Sequence, residues 1–292
     1  DLFTIIARDA ENTLTGIAPL FFTHNRDGEP ALMLLGSIEI SDYLDLIVRQ
    51  TELAAFSEAL FELLSSSQAP DWKVLDWYNI PQNSPTLAAL QNAARRYGWE
   101  YSQQTLQPCP VIMLPGDWET YLAGIDKKQR HEVRRKMRRA EESEVPVRWY
   151  LIDKEHPIDE ASLEAEIEAF LKLMANDPEK ERFLTTKMRQ QMRDSIHAAF
   201  KAGWLQLSFL EIGGEKADGY LNFDYEGHIW VYNSGLNFGF RELSPGWVLL
   251  GNLLQWANEN KRQAFDFMRG DEDYKYRFGG VNRYIVRITI RR

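Results

Sequence analysis

The stretch that decides the fold is residues 264–280, AFDFMRGDEDYKYRFGG. Its first five residues are apolar except for one aspartate and predict a short buried strand. The next twelve follow with almost no loop and are rich in ionisable and tyrosine side chains, with glycines near both ends. Open α/β sheets place their ligands at the carboxyl ends of buried strands. The stretch therefore predicts an α/β domain with a functional site directly after this strand.

Composition limits the classes of function. The chain has 292 residues, of which 44% are hydrophobic, which is enough for one large domain or two ordinary ones. A formal net charge of −9 argues against DNA or an anionic membrane as a general partner. Cys109 is the only cysteine and the five histidines lack metal-ligand spacing, so we expect no disulfide and no metal. The sequence contains no run of about 18 apolar residues, so it predicts no membrane span. The single cysteine favours a reducing compartment, and we expect a cytoplasmic location.

Short strands and two helices account for the amino-terminal part. Apolar residues at helical spacing predict one helix over 51–65. Ser84 as N-cap and Pro85 as first helical residue predict a second helix to about residue 97. Apolar runs predict extended segments at 2–7, 16–23, 31–35, 45–48, 72–77 and 99–114.

The carboxy-terminal part repeats this order with more elements before it. Helices are predicted over 158–175, 181–202 and 244–260, with a short one after 268. Strands are predicted at 147–152, 204–212, 219–225, 228–234, 264–268 and 284–290.

One aspartate within an apolar strand marks each part of the chain. Asp76 and Asp266 both lie on a strand that follows a long amphipathic helix and precedes a shorter helix and a final extended segment. We therefore predict two copies of one α/β unit, residues 1–124 and 125–292. The first copy is expected to lack its opening strand and helices, as if the chain began within it.

A strongly basic helix is predicted over 126–143, between the copies. Ile125, Val133, Met137 and Ala140 give it a narrow apolar stripe. Two interpretations stay open: an anion-binding helix for a phosphorylated ligand or RNA, and a solvated linker helix that pairs with acidic residues elsewhere. The basic residues are Lys127, Lys128, Arg130, Arg134, Arg135, Lys136, Arg138 and Arg139.

The turn at 241–246 opens the main helix of the second copy. Ser244 suits an N-cap, Pro245 suits the first helical position, and Gly246 would let a ligand approach the backbone. Helix N-termini offer N–H groups and partial positive charge to a pyrophosphate. The alternative is an ordinary capped helix with no ligand.

These segments resemble the GNAT N-acyltransferase fold. Its phosphate loop typically reads Gln/Arg-x-x-Gly-x-Gly/Ala, and Arg241 and Gly246 match it, whereas Ser244 replaces the first glycine and Pro245 removes an N–H donor. The stretches KKQRHEVRRKMRRAEE, SPGWVLLGNLL and FDFMRGDEDYKYRFGG resemble the CelD/BcsL-like branch, whose tandem GNAT-like proteins are similar to Fem-type peptidoglycan aminoacyltransferases. The resemblance implies two tandem domains, each an α/β (α+β) fold with a mixed, mostly antiparallel sheet flanked by helices.

The resemblance also implies a site and a reaction. An amine would attack an acyl thioester directly, with acetyl-CoA or another acyl-CoA as co-substrate. Lys275 matches the lysine that stabilises the carbonyl in Fem-like relatives, and Tyr274 or Tyr276 matches the usual acid. The pantetheine and pyrophosphate would contact Tyr232, Asn233, Ser234, Arg241, Leu243, Ser244 and Gly246.

Several acidic and basic residues are candidates for substrate binding, each with a structural alternative. Asp266 needs a partner if buried, and Arg269 is close in sequence, so a structural ion pair competes with a substrate role. Asp271 and Lys275 are four residues apart and could form a helix-surface pair. In the first copy Asp42, Tyr43 and Asp45 are candidates for the same cleft.

Three functions follow from these observations. The first is an acyl-CoA-dependent N-acyltransferase, which the resemblance indicates to be an N-acetyltransferase, acting on an amine such as that of a sugar or envelope precursor. The second is a Fem-type enzyme that takes its acyl group from aminoacyl-tRNA, which the basic helix favours and the net charge disfavours. The third is a GNAT-fold binding protein without catalysis, which Ser244 and Pro245 favour.

Overall fold

The computed structural model describes every residue from 1 to 292, and these fall into two compact units. Unit 1 comprises Asp1–Cys109, Arg269–Asp271 and Asn282–Arg292, and unit 2 comprises Pro110–Met268 and Glu272–Val281. Unit 1 thus takes in two short segments from the end of the chain, whereas the predicted domain limits, 1–124 and 125–292, follow chain order. Compactness does not test independent folding, so those limits stay a prediction.

Unit 1 is built from short strands and two helices. Its helices are α1 (Leu53–Ser65) and α2 (Pro85–Tyr97). Its strands are β1 (Ile5–Arg8), β2 (Leu14–Ala18), β3 (Leu20–His24), β4 (Pro30–Leu34), β5 (Ile47–Val48), β6 (Val74–Pro81), residues 100–109 of β7 (Glu100–Met113) and most of β13 (Val281–Arg291).

Two sheets organise unit 1. A small sheet has the order β1-β2-β5, and a larger one has the order β3-β4-β6-β13-β7. β4 and β6 pair in parallel, while β3–β4 and β6–β13 pair antiparallel. Helix α1 buries Phe56, Leu60 and Leu64 against this sheet core, as its apolar spacing predicts. Ser84 caps α2 by accepting a hydrogen bond from the N–H of Thr86, which confirms the predicted N-cap.

Unit 2 contains seven helices and most of the longer strands. The helices are α3 (Trp118–Gly124), α4 (Lys127–Glu141), α5 (Glu160–Met174), α6 (Pro178–Phe183), α7 (Thr186–Ala202), α8 (Pro245–Glu259) and α9 (Asp273–Arg277). The strands are β8 (Val147–Ile152), β9 (Leu205–Ile212), β10 (Glu215–Tyr225), β11 (His228–Leu236), β12 (Ala264–Asp266) and residues 110–113 of β7.

The sheet of unit 2 has the order β7-β12-β11-β10-β9-β8. β8 to β11 are antiparallel, β11 and β12 are parallel, and β12 is antiparallel to β7. Helix α8 makes the crossover between β11 and β12, just as α1 precedes β6 in unit 1. A mixed, mostly antiparallel sheet flanked by helices was the predicted fold class, and it is confirmed.

The basic helix α4 packs on α8 through the predicted apolar stripe. Val133 and Ala140 are buried, and a Cβ on Gly251 of α8 would lie 2.8 Å from Met137 Sδ. The ammonium of Lys136 lies 3.9 Å from the centroid of the Trp247 ring. Glycine at 251 therefore permits the close approach of α4, and the other face of α4 is left exposed.

Some predicted elements were wrong in detail. The helix predicted over 181–202 is broken, because Thr185 leaves helical geometry and accepts the N–H of Met188 to cap α7. The strand predicted to reach Met268 ends at Asp266, and Met268 has a φ of +54°. Helix α3 was not predicted, although Asp117 caps it through the N–H of Thr120. None of the helices combines the length and hydropathy that crossing a bilayer requires.

Candidate functional site

The central feature of unit 2 is the divergence of its two parallel strands. β11 and β12 pair over three residues only, from His228 opposite Ala264 to Trp230 opposite Asp266. β12 then ends, whereas β11 continues to Leu236 with β10 on its other side. Residues 231–236 are therefore not paired with β12. A strand edge of this kind can receive an extended ligand through its backbone groups.

Lys180 contacts this part of β11. Its ammonium donates to the carbonyl oxygen of Ser234 at 2.5 Å and lies 3.4 Å from the Ser234 hydroxyl. Pro178 and the capping carboxylate of Asp177 begin α6 and so place Lys180 on its first turn. Burial lowers the pKa of Lys180, while the charges of Asp177, Glu272 and Asp218 act in the opposite sense. An amine substrate or a donor arm on this edge would meet Lys180.

Asp218 is a buried carboxyl group on β10. It is 2% exposed, and its Oδ2 atom has no hydrogen-bond partner. Burial raises the pKa of Asp218 well above its ordinary value, which favours the neutral acid. A Cβ on Gly246 would lie 3.9 Å from this Oδ2 atom, so Asp218 lies beside the first turn of α8.

A buried tyrosine and a half-buried one meet next to Asp218. Tyr220 lies on β10 two residues after Asp218, and its hydroxyl shares a hydrogen bond with the hydroxyl of Tyr274 of α9. Burial raises the pKa of both phenols, so each is protonated at neutral pH. A protonated phenol can give a proton to a leaving group, and the acid role of Tyr274 stays a prediction.

Lys275 is the most buried cation of the predicted site. Its side chain is 3% exposed, and its ammonium lies 2.9 Å from Glu272 Oε2 and 3.4 Å from the carbonyl oxygen of Phe267. Glu272 is the N-cap residue of α9, so the pair spans the first turn of that helix. A buried cation at the end of β12 could stabilise negative charge that develops on a nearby oxygen. Tyr276, the other predicted acid, is half-buried on α9.

The start of α8 differs from the predicted N-cap. Ser244 has a φ of +52° and makes no side-chain cap, and its N–H donates to the carbonyl of Arg241. The N–H groups of Trp247 and Val248 both donate to the Ser244 carbonyl, and Pro245 has no N–H. Gly246 alone is left to offer an N–H at this turn. A pyrophosphate would find one backbone donor here rather than the several that a glycine-rich loop provides.

The remaining predicted cofactor contacts lie on β11 and the turn before α8. Tyr232 packs on Phe223 with ring centroids 5.7 Å apart, and Asn233 accepts the N–H of Ser234 through its side chain. The Arg241 guanidinium lies 5.3 Å from the Phe238 ring centroid and is exposed. Unit 2 thus contains the predicted residues of the donor site, with Ser234 bound to Lys180.

The predicted substrate residues are divided between the units. Arg269 belongs to unit 1, where its Nε donates to Asp42 Oδ1 at 2.5 Å and its Nη1 to the carbonyl of Ile38 at 3.0 Å. Asp45 accepts the hydroxyl of Ser84 at 2.5 Å. Tyr43 is half-buried and Asp271 is exposed, both in unit 1.

Asp266 is 3% exposed and accepts the N–H of Met268 at 2.7 Å, which holds the turn after β12. The ion pair of Asp266 with Arg269 and the substrate roles of these residues stay predictions.

Four residues near the predicted site were missed by sequence reasoning: Lys180, Asp218, Tyr220 and Glu272. The signal for Asp218 was present, because it is a lone carboxylate within the apolar run 217–221, as Asp266 is in its own strand. Lys180 had no such signal, since it lies in a short helix dense in charge. Only the fold brings it to β11.

Comparisons with known proteins agree with this geometry. Among solved structures the chain is similar to FemX, with 12% identity, a TM-score of 0.65, and coverage of 99% of this chain and 87% of that one. It is also similar to the C-terminal domain of a predicted lysylphosphatidylglycerol synthetase from Agrobacterium fabrum, with 8% identity and a TM-score of 0.61. That match covers 99% of this chain and 84% of the other. At these identities the likeness establishes the fold. A search of curated proteins finds no match.

Parallel strands that diverge after a crossover helix define the GNAT fold. The model of the acetyltransferase (GNAT) domain family matches residues 127–276, more than half of the chain, and the chain belongs to this family. The match covers both α4 and the diverging strands β11 and β12. The predicted GNAT fold with similarity to Fem-type proteins is confirmed.

The family implies an acyl-CoA co-substrate, and the residues of unit 2 fit it in part. The part of β11 beyond Trp230, where β12 no longer pairs with it, suits an extended arm that carries amide groups. The turn at α8 suits a pyrophosphate less well, since Gly246 offers one N–H and the carboxyl group of Asp218 lies beside it. No group of His, Cys, Asp and Glu side chains in residues 1–292 could hold a metal ion.

Proposed function

We propose that this chain is an N-acyltransferase that moves an acyl group from an acyl-CoA to an amine. The observation that carries the proposal is the divergence of β11 from β12, with Tyr274 and Lys275 on the helix that follows β12. The part of β11 beyond its pairing with β12 would hold the donor's extended arm. The amine would then approach the acyl carbonyl from the end of β12.

The proposed reaction is direct attack of the amine on the donor carbonyl. A C–N bond forms and the C–S bond breaks, so negative charge develops first on the carbonyl oxygen and then on the leaving sulfur. Lys275 would stabilise the oxyanion, because its ammonium is buried and charge interactions are strong there. Tyr274 would give its proton to the leaving sulfur, and a base or water would take the proton of the amine.

A second candidate donor is aminoacyl-tRNA. It is favoured by the single backbone N–H at the start of α8 together with the basic exposed face of α4. The net charge of −9 disfavours an RNA partner. The acceptor is proposed only as a small-molecule or envelope-precursor amine. A cytoplasmic location stays a prediction.

A thermal-shift screen with acetyl-CoA, longer acyl-CoAs and free CoA tests the donor. A ligand present at about 100 times its dissociation constant stabilises the folded chain by about 2.7 kcal/mol. We expect acyl-CoA to raise the melting temperature, and free CoA to do so as well through the shared nucleotide end. If no CoA species shifts the melting temperature, the donor is not a CoA thioester.

A further inference from the structure

The exposed face of α4 forms one side of a basic groove. The groove has a volume of about 850 Å³ and is lined by His131, Arg134, Arg135, Arg138, Arg139 and Leu243. Its other lining residues are in segment 142–145, which contributes the carboxylates of Glu142 and Glu144. Four arginines and a histidine thus face two acids. This surface is not used by the acyl-transfer chemistry proposed above.

Two of the arginines in the groove have no ion-pair partner. Arg134 is paired with Glu119, and Arg135 is 2.7 Å from Glu132. The side chains of Arg138 and Arg139 make no ion pair or hydrogen bond in the chain, and both are exposed one turn from the end of α4. Both lie in the last turn of α4, where positive charge also interacts favourably with the helix dipole, and two adjacent guanidinium groups without partners can together bind an anion.

The position of the groove connects it to the donor site. Leu243, which lines it, directly precedes Ser244 and the first turn of α8. That turn offers the single N–H of Gly246, so phosphate groups at this place lack backbone donors. Guanidinium groups bind phosphate through paired charged hydrogen bonds and can supply the missing donors.

We infer that the groove along α4 binds the phosphate groups at the nucleotide end of the acyl donor. This inference rests on the proposed function, and it places the main anion site on α4 rather than at the start of α8. The size of the groove favours one nucleotide, since small-molecule sites have volumes of about 300–1,000 Å³. The net charge of −9 argues against an extended nucleic acid.

Calorimetric titration with acetyl-CoA, 3′-dephospho-acetyl-CoA and adenosine 3′,5′-bisphosphate tests the inference. The test variant is Arg138→Gln with Arg139→Gln, which removes two charges from the groove. The control is Lys127→Gln with Lys128→Gln, which removes two charges from the same helix at exposed residues outside the groove. Because none of the four side chains is buried, we expect equal melting temperatures.

The arginine variant should bind acetyl-CoA and adenosine 3′,5′-bisphosphate about 10²-fold more weakly, since each charged hydrogen bond lost reduces affinity roughly tenfold. The lysine variant should stay within about threefold of the parent, as a change of net charge alone predicts. Loss of the 3′-phosphate should weaken binding to the parent more than to the arginine variant.

Other outcomes overturn the inference in distinguishable ways. If the arginine variant binds acetyl-CoA as the parent does, the groove is not the phosphate site and the proposed donor stands. If the parent binds no CoA species but binds a single-stranded RNA oligonucleotide that the arginine variant fails to bind, the ligand is nucleic acid and the CoA donor is wrong. If the parent binds neither, both the groove assignment and the donor are wrong.

Discussion

The ammonium of Lys275 lies 2.9 Å from the carboxylate of Glu272, with the lysine side chain buried and the glutamate side chain mostly exposed. Glu272 begins α9 and Lys275 lies one turn later, so the helix start fixes both groups. The pair balances the buried charge while the carboxylate stays in contact with solvent. A cation held in this way needs little rearrangement to face an oxyanion, which is the arrangement that electrostatic catalysis requires.

The first prediction concerns the turn at α8. Gly246→Val should leave the fold intact, because Gly246 has no positive φ and a Cβ there has room beside Asp218. The branched side chain should shield the Gly246 N–H and weaken acetyl-CoA binding by about tenfold, the value of one charged hydrogen bond.

Gly124→Val is the control for this substitution, since a Cβ at Gly124 meets no atom within 4 Å. Calorimetric titration measures both variants. Equal affinity of Gly246→Val and the parent would show that α8 contributes no donor to the ligand.

The second prediction concerns pH. The folded-state pKa of Asp218 is raised by burial, so the folded chain holds this proton at pH values where the unfolded chain has lost it. The contribution of this carboxyl group to the free energy of unfolding is fully present below its unfolded-state pKa of about 3.9. That contribution is lost as the pH rises through the folded-state pKa.

The asparagine of the Asp218→Asn variant cannot ionise, so the stability of this variant should not fall in the same way as the pH rises. Thermal unfolding at several pH values should show the melting temperature of the variant increasing relative to that of the parent as the pH rises from about 4 towards neutrality and above. A constant difference between the two proteins across this range would show that Asp218 ionises alike in the folded and unfolded chains.

The third prediction concerns the ion pair of unit 1. Asp42→Asn removes the charge that faces Arg269, whose side chain is 18% exposed. Breaking a fully buried pair costs roughly 3–5 kcal/mol, and this partly exposed pair should cost on the order of 2 kcal/mol.

Asp27→Asn is the matched control, because Asp27 is 62% exposed and lies 3.6 Å from Arg287. That substitution should change the free energy of unfolding by less than about 0.5 kcal/mol. Chemical denaturation measures both variants. If they are equally stable, the Arg269–Asp42 pair does not contribute to stability, and the predicted substrate role of Arg269 gains support.

Much of unit 2 could be predicted because burial imposes a period on the sequence. The alternation in 205–225 gives the β9–β10 hairpin across Gly213 and Gly214, and the stripe of α4 gives its contact with α8. The aspartate of β12 was expected to need a partner if buried, and it accepts the N–H of Met268, but the end of the strand at Asp266 was not predicted.

Long-range contacts account for what the sequence did not reveal. Lys180 and Ser234 are 54 residues apart, and no local pattern relates α6 to β11. Ser244 shows that residue type alone does not predict a side-chain cap. Its residue type and the proline after it suit a capped helix, but the chain enters α8 from the turn at Arg241 and forces a positive φ that turns the side chain away from the cap.

The central claim is that Lys275 assists acyl transfer in unit 2, and release of free thiol from acetyl-CoA tests it most directly. The assay would use a panel of hexosamines, diamines and α-amino acids as acceptors, with Lys275→Met as test variant. Arg277→Met is the control, because Arg277 is exposed on the same helix.

We expect amine-dependent thiol release by the parent and the control, and a loss of about 10²-fold in Lys275→Met at a similar melting temperature, the scale of losing one charge-stabilising donor. Unchanged release in Lys275→Met, or a variant that loses stability while it keeps turnover, would contradict the account and leave Lys275 as a structural partner of Glu272.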